Sequence, residues 1–128
     1  MKVLFIGFAP VAAEQVQLAV RFRWPDATVS VAESPDAGLK LVEQEAPDVV
    51  ILQSGTRDQP FAQVIRDLRS FSDVPLIVLG SSDGGDEMDD VRALDAGADD
   101  FIRDGDGLMA LAARLVALMR RVWRQSLS

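Results

Sequence analysis

The stretch Pro47-Asp48-Val49-Val50-Ile51-Leu52-Gln53-Ser54-Gly55 constrains the fold more than any other part of the chain. Four unbroken apolar residues, three of them β-branched, followed by a polar residue and then a glycine, read as a strand buried on both faces. A strand buried on both faces needs a layer of structure over each, which is the situation of a parallel sheet sandwiched between helices. In an open parallel sheet, ligands and chemistry gather outside the carboxyl ends of the strands. The residue at that end is Gln53.

The rest of the chain repeats this pattern with helices between the strands. Val3 to Ile6 is an apolar strand ended by Gly7, and Pro10 has the fixed dihedral that suits the first turn of a helix reaching about Arg23. Val16, Ala19, Val20 and Phe22 are the expected buried stripe of that helix, which Trp24-Pro25-Asp26 breaks. Thr28 to Val31 alternates as a peripheral strand does. Ser34 followed by Pro35 starts a helix carrying Leu39, Leu41 and Val42, which ends before Pro47. Phe61, Val64, Ile65 and Leu68 fall at the i, i+3, i+4, i+7 positions of an amphipathic helix. Leu76 to Leu79 forms the fourth strand and stops at Gly80. The later residues of the acidic stretch Ser81 to Asp90 open a helix that Gly97 caps, and Asp100 to Ile102 is a short fifth strand. From about Gly107 a long last helix turns Leu108, Leu111, Leu115, Met119 and Val122 inward and Arg114, Arg120, Arg121 and Arg124 outward. Five alternations of this kind predict one α/β domain, a doubly wound five-stranded parallel sheet with helices on both faces. The domain is expected to span residues 1–122, with 123–128 a helix end or the start of a linker.

Composition narrows the chemistry. At 128 residues, with 48% hydrophobic and 26% charged side chains, the chain can bury a full core as a single globular domain. Thirteen basic against twenty acidic residues give a net charge of -7, which opposes direct grip on nucleic acid or an anionic membrane, so a DNA role needs another domain or a partner. The absence of cysteine and histidine excludes disulfides, thiolate chemistry, thiol or imidazole metal sites and histidine acid–base catalysis. The apolar run after Lys2 is too short for a signal peptide or a membrane span, and the expected location is the cytoplasm.

The segments Lys2-Val3-Leu4-Phe5-Ile6, Pro47-Asp48-Val49-Val50-Ile51-Leu52, Val74-Pro75-Leu76-Ile77-Val78-Leu79 and Ala96-Gly97-Ala98-Asp99-Asp100-Phe101, in this order, closely resemble the receiver domain of two-component response regulators. The likeness covers about Met1 to Arg121 and is greatest to receivers of winged-helix transcriptional regulators. It implies a CheY-like, flavodoxin-like sheet of strand order 2-1-3-4-5. It also implies an aspartate at the end of strand three that takes a phosphoryl group from a histidine kinase, and an acidic pair after strand one that helps hold Mg²⁺. A hydroxyl residue after strand four and a lysine after strand five bind the phosphoryl oxygens in that family. The matching positions here are Gly7 and Phe8 for the acidic pair, Gln53 for the nucleophile, Gly80 with Ser81 adjacent for the hydroxyl, and Asp104 for the lysine. A neutral amide is a poor nucleophile and brings no charge to a hard cation, so the expectation is a pseudo-receiver with no Mg²⁺, no other cofactor and no enzymatic activity.

Each position has a plain alternative. Gln53 is either a polar plug bonded to loop backbone or a mimic that fixes one conformation, and Phe8 fills the vacated metal position as packing. Asp104 is a solvated carboxylate or an acceptor for neighbouring loops. Asp83, Asp86, Glu87, Asp89 and Asp90 are read as a solvated loop and helix start rather than a Mg²⁺ or Ca²⁺ site. Phe101 occupies the family's switch-aromatic position, with static packing expected because Gly80 replaces its coupling partner. Asp99, Asp100, Arg114 and Arg121 match the face between the fourth and fifth helices through which winged-helix regulators dimerise, although Ala110 and Asp90 depart from that charge ladder. The alternative there is ordinary surface charge.

The expected function is phosphorylation-independent signal transduction through protein contacts in transcription regulation, as a homodimer working with an effector domain or partner. A small-molecule sensor built on the remodelled pocket is the competing expectation. A residual flavodoxin-like enzyme is least favoured, since no glycine-rich phosphate loop follows strand one and no paired catalytic groups are visible.

Overall fold

The computed structural model describes residues 1–7, 9–55, 60–81 and 86–126. Five strands, β1 (Lys2–Ile6), β2 (Thr28–Ala32), β3 (Val49–Gln53), β4 (Leu76–Gly80) and β5 (Asp100–Arg103), alternate with five helices, α1 (Pro10–Arg23), α2 (Pro35–Glu45), α3 (Phe61–Arg69), α4 (Asp89–Ala96) and α5 (Leu108–Ser126). The strands form one sheet in the order β2-β1-β3-β4-β5, and every neighbouring pair is parallel. The unbroken apolar runs are explained by this sandwich. Along β3, Val49 and Ile51 enter a core shared with α1 and α5, while Val50 and Leu52 enter a second core shared with α2, α3 and α4. In β1, Val3 and Phe5 join the first core and Leu4 and Ile6 the second. Successive side chains point to opposite faces, so a strand covered on both sides has no position left for a polar residue until it leaves the sheet.

Local chemistry sets the helix ends. Ser34 accepts a hydrogen bond from Ala37 N at 3.2 Å and precedes Pro35, which caps α2. Gly97 ends α4 at φ 121°, a left-handed conformation that a side chain would strain. Two expectations are corrected by the structure. Phe22 is 66% exposed, because the buried stripe of α1 is Ala12, Val16, Ala19 and Val20, and a residue two places beyond Val20 points away from it. The fifth strand runs one residue further than expected, pairing Arg103 with Gly80, and a turn of 3₁₀ helix (Asp104–Asp106) separates it from α5. The last helix continues through Ser126. Among the described residues, no helix is long and apolar enough to cross a membrane.

Candidate functional site

Parallel topology brings the ends of β1, β3, β4 and β5 to one edge of the sheet, and with them Gly7, Gln53, Gly80, Ser81 and Asp104. Phe8, expected to fill the space beside them, lies outside the described residues, as does Asp83. The five described positions contribute one carboxylate, Asp104, and no amine.

Gln53 ends β3 in register with Leu79 and is half-buried. Its Oε1 accepts a hydrogen bond from Ala9 N at 3.4 Å, tying β3 to the entry of α1. Gly7 N donates to Ala32 O at 2.9 Å, and a Cβ at Gly7 would stand 2.5 Å from both Gln53 Oε1 and Phe5 Cζ. The Phe5 ring is fully buried, so the room for any side chain at position 7 is taken by a core phenyl and an amide. Ser54, which sequence reasoning passed over, is buried and joins two strand ends: its N–H donates to Leu79 O at 3.0 Å, and its Oγ accepts from Ser81 N at 3.3 Å.

Across the sheet, the Phe101 ring lies against Gly80, occupying the volume that a Cβ there would need. The Arg103 guanidinium covers the same ring at 5.2 Å and donates to Ser81 O at 3.3 Å and Asp86 O at 3.2 Å. Phe101 is therefore held between a glycine and a cation, and Arg103 joins both described ends of the β4–α4 connection. The expectation of packing at Phe101 rested on Gly80. Arg103 carried no sequence signal, because its role depends on carbonyls that only the folded loop presents.

Of the acidic group entering α4, Asp86 and Asp89 each pair with Arg92 at 3.2 Å. A hydrogen bond from the Met88 backbone N–H, and then the bond and charge of Arg92, hold the Asp86 carboxyl below its ordinary value. Among the described residues, no group of three or more acidic, histidine or cysteine side chains is arranged to hold a metal ion.

Asp99, Asp100, Arg114 and Arg121 come together at the opposite edge, around a shallow cavity of about 370 Å³. They differ in engagement. Asp99 Oδ2 accepts from Leu76 N at 2.8 Å and from the Arg69 guanidinium at 3.2 Å, so this carboxylate serves its own chain. Arg69 also donates to Gly97 O at 2.8 Å, Ser72 O at 3.2 Å and Val74 O at 2.7 Å, fastening the end of α3 to the starts of β4 and β5. Nothing in the sequence separates Arg69 from Arg66. Asp100 pairs with the exposed Arg114 at 3.4 Å, and Arg121 is exposed.

No family model matches the chain. It is 42% identical over 90 residues to the KDP operon transcriptional regulatory protein KdpE of Escherichia coli, covering 70% of this chain and 39% of that protein. The chain thus spans about two fifths of the length of that relative. Among solved structures, the BeF3-activated N-terminal receiver domain of Klebsiella pneumoniae RstA superposes with a TM-score of 0.80 at 27% identity, over 94% of this chain and 99% of that one. A response regulator receiver domain from Clostridium thermocellum superposes with a TM-score of 0.82 at 18% identity, over 99% and 98%. The sheet order, the alternation of elements and these likenesses give the chain the CheY-like fold of response regulator receiver domains, with sequence similarity to transcriptional regulatory proteins.

Proposed function

We propose that this receiver domain signals without an aspartyl-phosphate cycle, through protein contacts that regulate transcription, and that it needs no Mg²⁺. One observation carries the reading: the strand-three end holds a neutral amide whose oxygen accepts from Ala9 N, in space closed by Phe5 against any side chain at position 7. An acyl phosphate requires a carboxylate nucleophile, and the dianion it creates requires neighbouring cations. Gln53 offers no carboxylate, and Asp104 brings negative charge where the family places a lysine. Phe101, seated on Gly80 beneath Arg103, supports a domain fixed in one arrangement, in which the α4–β5–α5 face is a constant surface. Output through that face as a homodimer, with an effector domain or a partner protein, is part of the same proposal. Its charged members are Asp100, Arg114 and Arg121, since Asp99 is committed to Arg69.

The sensor alternative is less favoured. The cleft that the described residues leave beside Gly7 measures about 120 Å³ and is lined by Ala9, Pro10, Ala13, Val31 and Glu33. Pockets for small molecules are usually about 300 Å³ or more. The test is incubation with acetyl phosphate and Mg²⁺ followed by intact mass measurement. No phosphoryl adduct is expected on the natural chain or on Gln53→Asp, because restoring the nucleophile leaves the other positions unfilled. An unchanged intact mass of the folded chain agrees with the proposal; stoichiometric phosphorylation of the natural chain overturns it.

A further inference from the structure

Where α1 ends beside α5, a cavity of about 470 Å³ opens between Arg23, Trp24, Val116, Arg120, Trp123 and Arg124. It lies at the edge of the sheet where strands begin, opposite Gln53, because α1 leads from it into β2 and α5 runs antiparallel to the strands. The two tryptophans meet edge to face, with ring centroids 6.4 Å apart at 90°. The Arg23 guanidinium stands 5.6 Å from the Trp24 centroid. No carboxylate lines the cavity, and among the described residues none of Arg23, Arg120 and Arg124 forms an ion pair. Arg120 and Arg124, four residues apart, share one face of α5, and no acidic residue occurs from Gly107 to Ser128.

A domain of net charge -7 thus gathers three arginines, none in an ion pair among the described residues, around a pair of indole rings, although Arg120 and Arg124 also border the cavity that holds Asp99 and Asp100. Like charges this close repel one another, and an anion between them removes that cost. Guanidinium groups match phosphate oxygens in paired hydrogen bonds, and indole faces and edges offer stacking to a flat heterocycle. The cavity volume lies within the usual range for small-molecule sites, about 300–1,000 Å³. We propose that this cleft binds a nucleotide, with the base against Trp24 and Trp123 and the phosphates on Arg23, Arg120 and Arg124. The site is separate from the strand ends at Gln53 and does not depend on whether that edge takes a phosphoryl group.

The chain contains two tryptophans and no tyrosine, so its intrinsic fluorescence reports from this cleft alone. Titration of the full chain with ATP is expected to give a saturable, absorption-corrected change. Adenosine, which lacks the charge, and tripolyphosphate, which lacks the base, are expected to bind more weakly. Arg120→Glu and Arg124→Glu, both at exposed positions, and Arg23→Glu are each expected to weaken ATP by about tenfold or more, with far-ultraviolet circular dichroism unchanged. Three separate variants keep the test decisive if one of them folds poorly. The proposal is overturned by the absence of a saturable response to ATP and GTP, by tripolyphosphate binding as tightly as ATP, or by folded variants that bind unchanged. Retention of an acidic peptide or duplex DNA without nucleotide binding also overturns it and assigns the cations to a macromolecule.

Discussion

The two edges of this sheet are held by different physics. At the edge where the strands end, loops are joined by neutral contacts and close packing, Gln53 Oε1 to Ala9 N, Ser81 N to Ser54 Oγ, Phe5 against Gly7 and Phe101 against Gly80, with Arg103 as the one cation bonded across them among the described residues. At the edge where the strands begin, ions dominate, with Arg69 fastening the end of α3 to the starts of β4 and β5, and Asp100, Arg114, Arg120, Arg121 and Arg124 lining open cavities. The difference teaches where function can persist. The strand-end edge keeps Asp104 and Arg103 but little room at Gly7 and Gly80, while the opposite edge carries arginines that form no ion pair among the described residues on an accessible surface.

The largest expected effect breaks the closed edge. Gly7→Asp returns a carboxylate to the position where the family has one, but its Cβ meets a buried phenyl and the Gln53 amide. Overpacking together with a poorly solvated charge is expected to cost about 3 kcal/mol in urea unfolding. A variant as stable as the natural chain would show that this edge has slack. Next comes the ionic edge: Arg69→Ala leaves three carbonyls and Asp99 without their donor and is expected to cost about 2 kcal/mol by the same measurement. If it costs less than removing the exposed Arg66, the fastening is decorative and the contrast between the edges fails.

A smaller effect tests the seat of Phe101. Gly80→Ser forces the ring aside, and since the ring is the movable end of its side chain, about 1 kcal/mol is expected, with the Phe101 ring resonances shifting in NMR spectra. Unshifted resonances would mean that Gly80 and the ring do not compete for space. Smaller again, Arg114→Glu is expected to weaken a homodimer by at most about 1 kcal/mol, seen as a lower dimer fraction in sedimentation at modest salt. A monomeric natural chain, or an unchanged profile, removes the dimer from the proposed function.

The last prediction concerns the clasp where α4 begins. The folded chain holds the Asp86 carboxyl below its ordinary value, first through the Met88 N–H and then through Arg92, so folding is favoured by the ionised form. That contribution is complete above the unfolded carboxyl's value and is lost as pH falls through the lower folded one. The protection factors of the Met88 and Arg92 amides, with the intrinsic pH dependence of exchange divided out, are expected to fall on acidification below the ordinary aspartate range and to be flat around neutrality. Asp86→Asn is expected to remove the dependence.

Much of the closed edge is legible in the sequence, and little of the ionic one. Gln53 and Gly80 near strand ends and Asp104 after the fifth strand can be placed by counting along apolar runs, since each run has its exit at a fixed side of the sheet. What counting cannot show is that Phe5, an ordinary core residue, fills the space at Gly7, or that Arg103 closes over Phe101. Asp99 and Asp100 are adjacent and chemically identical, yet one is locked to Arg69 and Leu76 while the other faces Arg114. Trp24 reads along the chain only as a helix break, and its partner Trp123 is ninety-nine positions away.

The sequence by itself determined the alternation of strands and helices, the double burial of β3 and the polar residue that ends it, because these follow from short-range periodicity and residue type. The tertiary structure alone decided which carboxylate is spent inside the chain, which glycine is filled by an aromatic ring and which arginines stand together around two indoles. Those outcomes depend on distances between elements far apart in the chain, and such distances exist only once the sheet has brought its two edges into being.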